Sequence, residues 1–148
     1  FYPVPMTMQT FVVLFLGISF GFKIAVATVG LYLIEGILGL PVFSNSPERG
    51  IGLVYFIGPT MGYLIGFLSA CSLASFIKID DNYLMIFVKL ILSVSTIYIF
   101  GVLWLGTIIG WDKPVLELGV MPFLLAEIFK ITLLTVLAKK ILRLRKFI

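Results

Sequence analysis

The sequence predicts an all-α protein, a polytopic bundle of helices that crosses a membrane several times. Of its 148 residues, 61% are hydrophobic and only 12% are charged, and the mean hydropathy is +1.18. A soluble domain needs more polar surface than this composition supplies. A membrane-spanning helix takes about 20 apolar residues, and the polar residues here fall into short segments between long apolar runs. We therefore expect residues 1–148 to form a single integral membrane domain.

Five apolar runs divide the chain. The first two, residues 11–22 and 24–40, meet at Lys23. One helix of about 30 residues would be about 45 Å long, longer than a bilayer core of about 30 Å, so we expect two spans here, the first of them short. The other runs are residues 55–77, 83–109 and 122–138, and the last begins with a proline, which is well tolerated in a first helical turn.

The basic residues predict the orientation of the chain. Seven lie at one set of span ends and two at the other. The first set comprises Lys23, Lys78, Lys139, Lys140, Arg143, Arg145 and Lys146, and the second comprises Arg49 and Lys113. By the positive-inside rule the C-terminus is cytoplasmic, and the loop of residues 40–63 and Phe1 face outward. An outward start before five spans, and a first residue that is not methionine, predict one further helix upstream.

The residue types exclude several classes of function. The chain has one cysteine, Cys71, and no histidine, which removes disulfide frameworks, the usual zinc and haem sites, and histidine-based nucleophilic catalysis. No phosphate-binding loop motif is present in the sequence, so ATP, if it drives transport, is used by another subunit. The basic tail follows an apolar span, which is typical of a membrane protein rather than of nucleic-acid binding. We expect no cofactor, no metal and no enzymatic activity.

Small residues recur at every fourth position after the outward loop. They are Gly58, Gly62, Gly66, Ala70 and Ala74. Such a stripe lets another backbone approach closely. It is typical either of packing within the bundle or of docking against a partner membrane subunit.

Two ionisable residues in the last apolar run are candidates for a ligand site. Glu127 and Lys130 are three positions apart and so share one face of a helix. Each charge costs about 2.5–3.5 kcal/mol at the centre of a bilayer on insertion scales. The spacing indicates either a self-neutralising pair or a protein-lined site in which a carboxylate accepts N–H donors and an ammonium meets an anionic group.

Polar and aromatic residues near the outer surface extend this candidate site. Gln9 and Thr10 lie at the outer mouth of the first run, where they either cap a helix or contact a ligand. Arg49, in the outer loop, is either a solvated partner of Glu48 or a receptor for an anion. Phe43 and Tyr63 are ordinary interfacial aromatics or the apolar wall of a ligand cavity.

Five motifs follow one another along nearly the whole chain. They are residues 3–11 (PVPMTMQTF), 39–43 (GLPVF), 58–67 (GPTMGYLIGF), 98–105 (YIFGVLWL) and 122–130 (PFLLAEIFK). In this order they resemble the BioY family, the biotin-binding S components of energy-coupling factor (ECF) transporters. The resemblance implies the six-helix S-component fold, with five helices present here and the first missing. It also implies capture of biotin outside a bacterial cell (inner) membrane, and ATP-driven import with a transmembrane coupling subunit and two ATPase subunits.

The resemblance also implies roles for the candidate residues. Glu127 would accept the ureido N–H groups of biotin, with Gln9 and Thr10 as polar neighbours. The rings of Phe43 and Tyr63 would flank the ligand, and either Lys130 or Arg49 would meet its carboxylate. The chain departs from the family pattern in having glutamate where aspartate is usual, at Glu127, and in replacing a glycine-rich loop with residues 44–49. The alternatives are an S component for another vitamin and a membrane assembly subunit that binds no ligand.

Overall fold

A computed structural model describes residues 7–43 and 50–147, and every regular segment within them is helical. The helices are α1 (Gln9–Ile37), α2 (Leu53–Phe56), α3 (Met61–Ala74), α4 (Tyr83–Ile109), α5 (Val115–Gly119) and α6 (Leu124–Leu142). Short 3-10 helices, Met121–Phe123 and Arg143–Phe147, precede and follow α6. By length and composition alone, three helical stretches could cross a membrane, Gln9–Ile37, Tyr83–Ile109 and Val115–Phe147, although the first of them turns at Gly21, while α3 is shorter. The predicted all-α membrane bundle is confirmed.

Helix α1 reverses direction at Gly21. This residue has φ 81° and ψ 179°, a conformation open to glycine because it has no Cβ. Gln9 Nε2 donates to Tyr32 Oη at 2.6 Å across 23 positions, whereas a continuous helix would hold such residues about 35 Å apart. Residues 9–20 and 22–37 are therefore the two arms of a hairpin, as expected for the first two apolar runs.

Helix α3 lies between α1 and α4 and packs closely on both through small residues. A Cβ atom on Gly66 would lie 2.6 Å from the Cα of Ile97 in α4. On the other side, a Cβ on Gly17 would lie 2.9 Å from the Cβ of Ala74. Since these positions admit no larger side chain at the present spacing, the small-residue stripe is used for packing within the bundle.

The apolar run 55–77 is interrupted near its start. The helix α2 ends at Phe56, and α3 begins only after Gly58 and Pro59. Proline has no N–H to donate and disfavours a helical conformation in the residue before it. The Nε1 of Trp104 donates to the carbonyl of Gly58 at 2.8 Å, which fixes this turn against α4.

The C-terminal segment folds back onto the ends of two helical segments. Arg145 Nε donates to Ile18 O at 2.6 Å, and its Nη2 donates to Gly17 O at 2.9 Å and Ser75 O at 2.7 Å. The final carbonyls of a helix have no partner within the helix, and Arg145 satisfies those of the first α1 arm and of α3. We call this end of the bundle the tail end. The opposite end, with residues 38–43, 50–60 and 110–123, is the loop end.

Candidate ligand-binding site

A cavity lies inside the loop end of the bundle. Its walls come from the start of α1, from α2 and α3, from the middle of α4 and from the start of α6. The lining residues are Thr7, Gln9, Thr10, Tyr55, Thr60, Tyr63, Leu64, Phe67, Ile97, Tyr98, Phe123, Glu127 and Lys130. The volume is about 50 Å³, below the roughly 300–1,000 Å³ of typical small-molecule sites. A ligand of vitamin size must therefore push these walls apart.

Glu127 is the centre of a buried hydrogen-bond network in this cavity, and it is only 5% exposed. Its Oε1 accepts from Thr10 Oγ1 at 3.0 Å, from Tyr98 Oη at 3.0 Å and from Lys130 Nζ at 3.3 Å. Its Oε2 lies 3.3 Å from the same Thr10 hydroxyl. Glu127 is in the first turn of α6, where the helix dipole stabilises a negative charge.

Lys130 is the cation of this network and is 4% exposed. Besides Glu127, its Nζ donates to Thr7 O at 2.6 Å and to Thr10 Oγ1 at 3.0 Å. An ammonium has three N–H donors, and these three contacts account for all of them. The pair is thus self-neutralising and also part of the cavity wall, while the contact of its two charges with a ligand stays a prediction.

Gln9 lines the cavity, but its amide is tied to neighbouring protein groups. Its Nε2 donates to Tyr32 Oη, and its Oε1 accepts from Thr7 Oγ1 at 3.2 Å. Tyr32 Oη in turn donates to Val42 O at 3.3 Å. Gln9 therefore links the two α1 arms to the start of the outer loop.

Phe43 does not line the cavity, contrary to its predicted place beside the ligand. It is 3% exposed, and its ring stacks on Tyr55 with centroids 5.0 Å apart. The ring fills the space left by Gly36, where any Cβ would collide with it. Because Gly36 lets the ring pack inward, Tyr55 stands at the cavity in its place.

Tyr63 does line the cavity, and its hydroxyl is already used. It donates to Gly119 O at 2.8 Å, which ties α3 to α5. Its ring meets the ring of Tyr98 edge-on, with centroids 5.9 Å apart and an interplanar angle of 86°. The aromatic face of Tyr63 is thus available to a ligand, whereas its hydroxyl proton is already donated to Gly119 O.

Arg49 lies outside the described residues, so its contact with a ligand anion stays a prediction. Within residues 7–43 and 50–147, no three His, Cys, Asp or Glu side chains gather into a group that could hold a metal ion. The polar groups of the cavity are instead one carboxylate, one ammonium, hydroxyls and an amide. Such a set suits a ligand that carries both N–H donors and a carbonyl, with apolar parts against the aromatic wall.

Tyr98 lines the cavity but was not among the candidate site residues, although it begins the matched motif of residues 98–105. A tyrosine buried in the middle of a helix needs a partner for its hydroxyl. Thr60, Phe67 and Phe123 were also not selected. Each of these adds to the wall of the cavity, and none is distinguished by its local sequence.

Comparison with known proteins agrees with this architecture. The family model described as the BioY family matches residues 1–147. A probable biotin transporter BioY of Pyrococcus horikoshii is 33% identical over 139 residues, which cover 94% of this chain and 81% of the relative. The biotin transporter BioY of Thermotoga maritima is 30% identical over 145 residues, 97% of this chain and 82% of the relative.

One solved structure resembles this chain over almost its whole length. It is the crystal structure of the S-component for biotin from an ECF-type ABC transporter, with a TM-score of 0.79 and 26% identity. The match covers 99% of this chain and 78% of that one.

Proposed function

The chain belongs to the BioY family, and we propose that it is the biotin-binding S component of an ECF-type transporter. The observation that carries this proposal is the buried Glu127–Lys130 pair, hydrogen-bonded to Thr10 and Tyr98 inside an aromatic cavity. Ionisable residues inside membrane helices are costly and typically mark substrate sites, which favours a ligand-binding subunit over a chain that only assembles with partners. The names and fold of the relatives point to the same ligand.

The chemistry of biotin fits the polar end of this cavity. Its ureido ring has two N–H donors and a carbonyl oxygen side by side. Glu127 accepts one N–H group. Lys130, whose Nζ is 3.3 Å from the Glu127 carboxylate, turns one of its three donors from the protein to the ureido oxygen when biotin binds. Thr10 and Gln9 complete the polar wall, and Tyr63 and Tyr55 flank the apolar rings.

This arrangement assigns the biotin carboxylate to a different cation. The ureido group and the carboxylate stand at opposite ends of the molecule, whereas Glu127 and Lys130 touch each other. Lys130 therefore cannot hold the carboxylate while Glu127 holds the ureido group. Of the two cations considered from the sequence, Arg49 takes this role, and Phe43 supports the site from behind Tyr55.

The orientation follows from the distribution of charge, and the partners follow from the family. The described tail end carries eight basic residues against two acidic ones, and the described loop end carries one basic residue against two acidic ones. The basic tail-end residues are Lys23, Lys78, Lys89, Lys139, Lys140, Arg143, Arg145 and Lys146. The positive-inside rule then gives a cytoplasmic C-terminus in the cell membrane and a cavity that opens outward. A transmembrane coupling subunit and two ATPase subunits supply the ATP-driven step.

Competition binding tests the proposal. The purified protein in detergent is titrated with biotin, riboflavin and thiamine by isothermal calorimetry. We expect biotin to bind with one-to-one stoichiometry and neither of the other vitamins to displace it. Binding of riboflavin or thiamine without binding of biotin would identify an S component for another vitamin, and no binding of any of them would support an assembly role.

A further inference from the structure

We propose that Tyr98 is a positioning residue, whose hydroxyl holds Oε1 of Glu127 so that Oε2 is presented to the ligand. The inference deepens the proposed function and rests on it. It concerns which oxygen of the Glu127 carboxylate accepts the ureido N–H, and which protein group orients the carboxylate for that contact.

The two oxygens of Glu127 have unequal surroundings. Oε1 lies within hydrogen-bond distance of three donors: Tyr98 Oη, Lys130 Nζ and Thr10 Oγ1. Among the described residues, Oε2 has a hydrogen bond only to Thr10 Oγ1, at the longer distance of 3.3 Å. A carboxylate oxygen accepts about two hydrogen bonds well. Oε1 is therefore saturated by protein groups, and Oε2 is the oxygen with room for a ligand N–H.

The Thr10 hydroxyl does not remove this asymmetry, because it carries a single proton. It accepts from Lys130 Nζ at 3.0 Å and donates to one carboxylate oxygen at a time. The shorter distance, 3.0 Å to Oε1 against 3.3 Å to Oε2, favours donation to Oε1. A ligand N–H can then approach Oε2 without displacing any protein donor.

Tyr98 is held rigidly enough to impose this orientation. Its ring packs edge-on against Tyr63, as described above, and lies 6.4 Å from the ring of Phe123 at an angle of 36°. It also stands between two spaces, since Tyr98 and Glu127 line both the cavity and an apolar groove between α4 and α6 on the outside of the bundle. The ring therefore forms part of the wall between the cavity and this groove, and its hydroxyl, 3.0 Å from Oε1, limits the rotation of the carboxylate.

The test compares Tyr98→Phe, which keeps the ring and removes the hydroxyl, with Tyr83→Phe as the matched control. Tyr83 is exposed at the tail end, away from the cavity. Biotin and its two singly N-methylated ureido analogues are titrated into each variant. Without the Tyr98 hydroxyl the Glu127 carboxylate can turn, and the hydrogen bond from biotin to this charge is weakened. We therefore expect the biotin affinity of Tyr98→Phe to fall by about 10-fold or more, with no change in Tyr83→Phe.

The two analogues distinguish a Tyr98 that orients the Glu127 carboxylate from a Tyr98 that only stabilises the fold. The analogue that is methylated on the nitrogen facing Oε2 has no N–H to present, so Tyr98→Phe should change its affinity by less than about 3-fold. The same small change is expected for biotin when Tyr98→Phe is made in a Glu127→Gln background. If Tyr98→Phe lowers the affinity for biotin and for both analogues equally, Tyr98 only supports the fold. If Tyr98→Phe leaves the affinity for biotin unchanged, the proposal is overturned. Failure of the unaltered protein to bind biotin would instead refute the proposed function.

Infrared difference spectroscopy on the unaltered protein gives a second readout that does not depend on Tyr98→Phe. With Glu127→Gln used to assign the carboxylate bands, we expect biotin to narrow the splitting between the two carboxylate stretches, because Oε2 gains a donor to match Oε1. A splitting that biotin leaves unchanged would contradict the inference.

Discussion

Replacing Lys130 with methionine is the sharpest test of the buried network. Lys130 is 4% exposed and donates to Thr7 O, Thr10 Oγ1 and Glu127 Oε1 at 2.6, 3.0 and 3.3 Å. Methionine keeps most of the side-chain volume but leaves the Glu127 carboxylate buried without its cation. Removing one partner of a buried ion pair typically costs about 3–5 kcal/mol. We expect the free energy of unfolding of Lys130→Met to fall by that amount.

Denaturant unfolding in detergent micelles, followed by tryptophan fluorescence, measures this loss. Lys140→Met is the matched control, because Lys140 is on the same helix and exposed, and exposed substitutions usually change stability by less than about 0.5 kcal/mol. The double variant Glu127→Gln/Lys130→Met removes both charges, so it should recover at least half of the loss. A Lys130→Met protein as stable as Lys140→Met, or a double variant less stable than Lys130→Met alone, would refute the reasoning.

Two further predictions concern packing and pH. Gly66→Ala should lower the free energy of unfolding by about 1–3 kcal/mol, because the new Cβ meets the α4 backbone. The control Gly30→Ala should not destabilise the protein, because a Cβ at Gly30 has nothing within 4 Å. Thermal unfolding of both variants tests this, and equal effects would contradict the close spacing of α3 and α4. In the loop before α4, partial burial acts to raise the pKa of Asp81, but the Lys89 ammonium and the Lys78 N–H outweigh it and hold the pKa below its usual range. A lowered folded-state pKa makes this contribution to stability complete above about pH 4 and lost as the pH falls through the folded value. Asp81→Asn should therefore flatten the decline of stability in acid, and an unchanged acid limb would count against the ion pair.

Much of the fold follows from local signals in the chain. The bounds predicted for α4, residues 83–109, are those observed, because an uninterrupted apolar run is bordered by Asn82, which caps the helix through Met85 N at 2.7 Å, and by Gly110. The reversal in α1 was expected from its excessive length. The break between α2 and α3 was not expected, although Gly58 and Pro59 carry the local cause.

The sequence predicted contacts within the site only between residues of the same helix. Spacing alone brought Glu127 and Lys130 together, since they lie one turn apart. Thr10 is 117 positions from Glu127, and no local pattern reports that contact. Phe43 was misplaced because its direction depends on the space at Gly36, and Tyr98 was passed over because its partner lies on another helix.

The most direct measurement of the central claim is a calorimetric titration of biotin into the unaltered protein and into Glu127→Gln. The account predicts one-to-one binding by the unaltered protein and an affinity at least about 10-fold lower for Glu127→Gln, since a hydrogen bond from the ligand to a buried charge is weakened. A folded Glu127→Gln protein that binds biotin as tightly as the unaltered protein would contradict the assignment of the ureido group to this carboxylate.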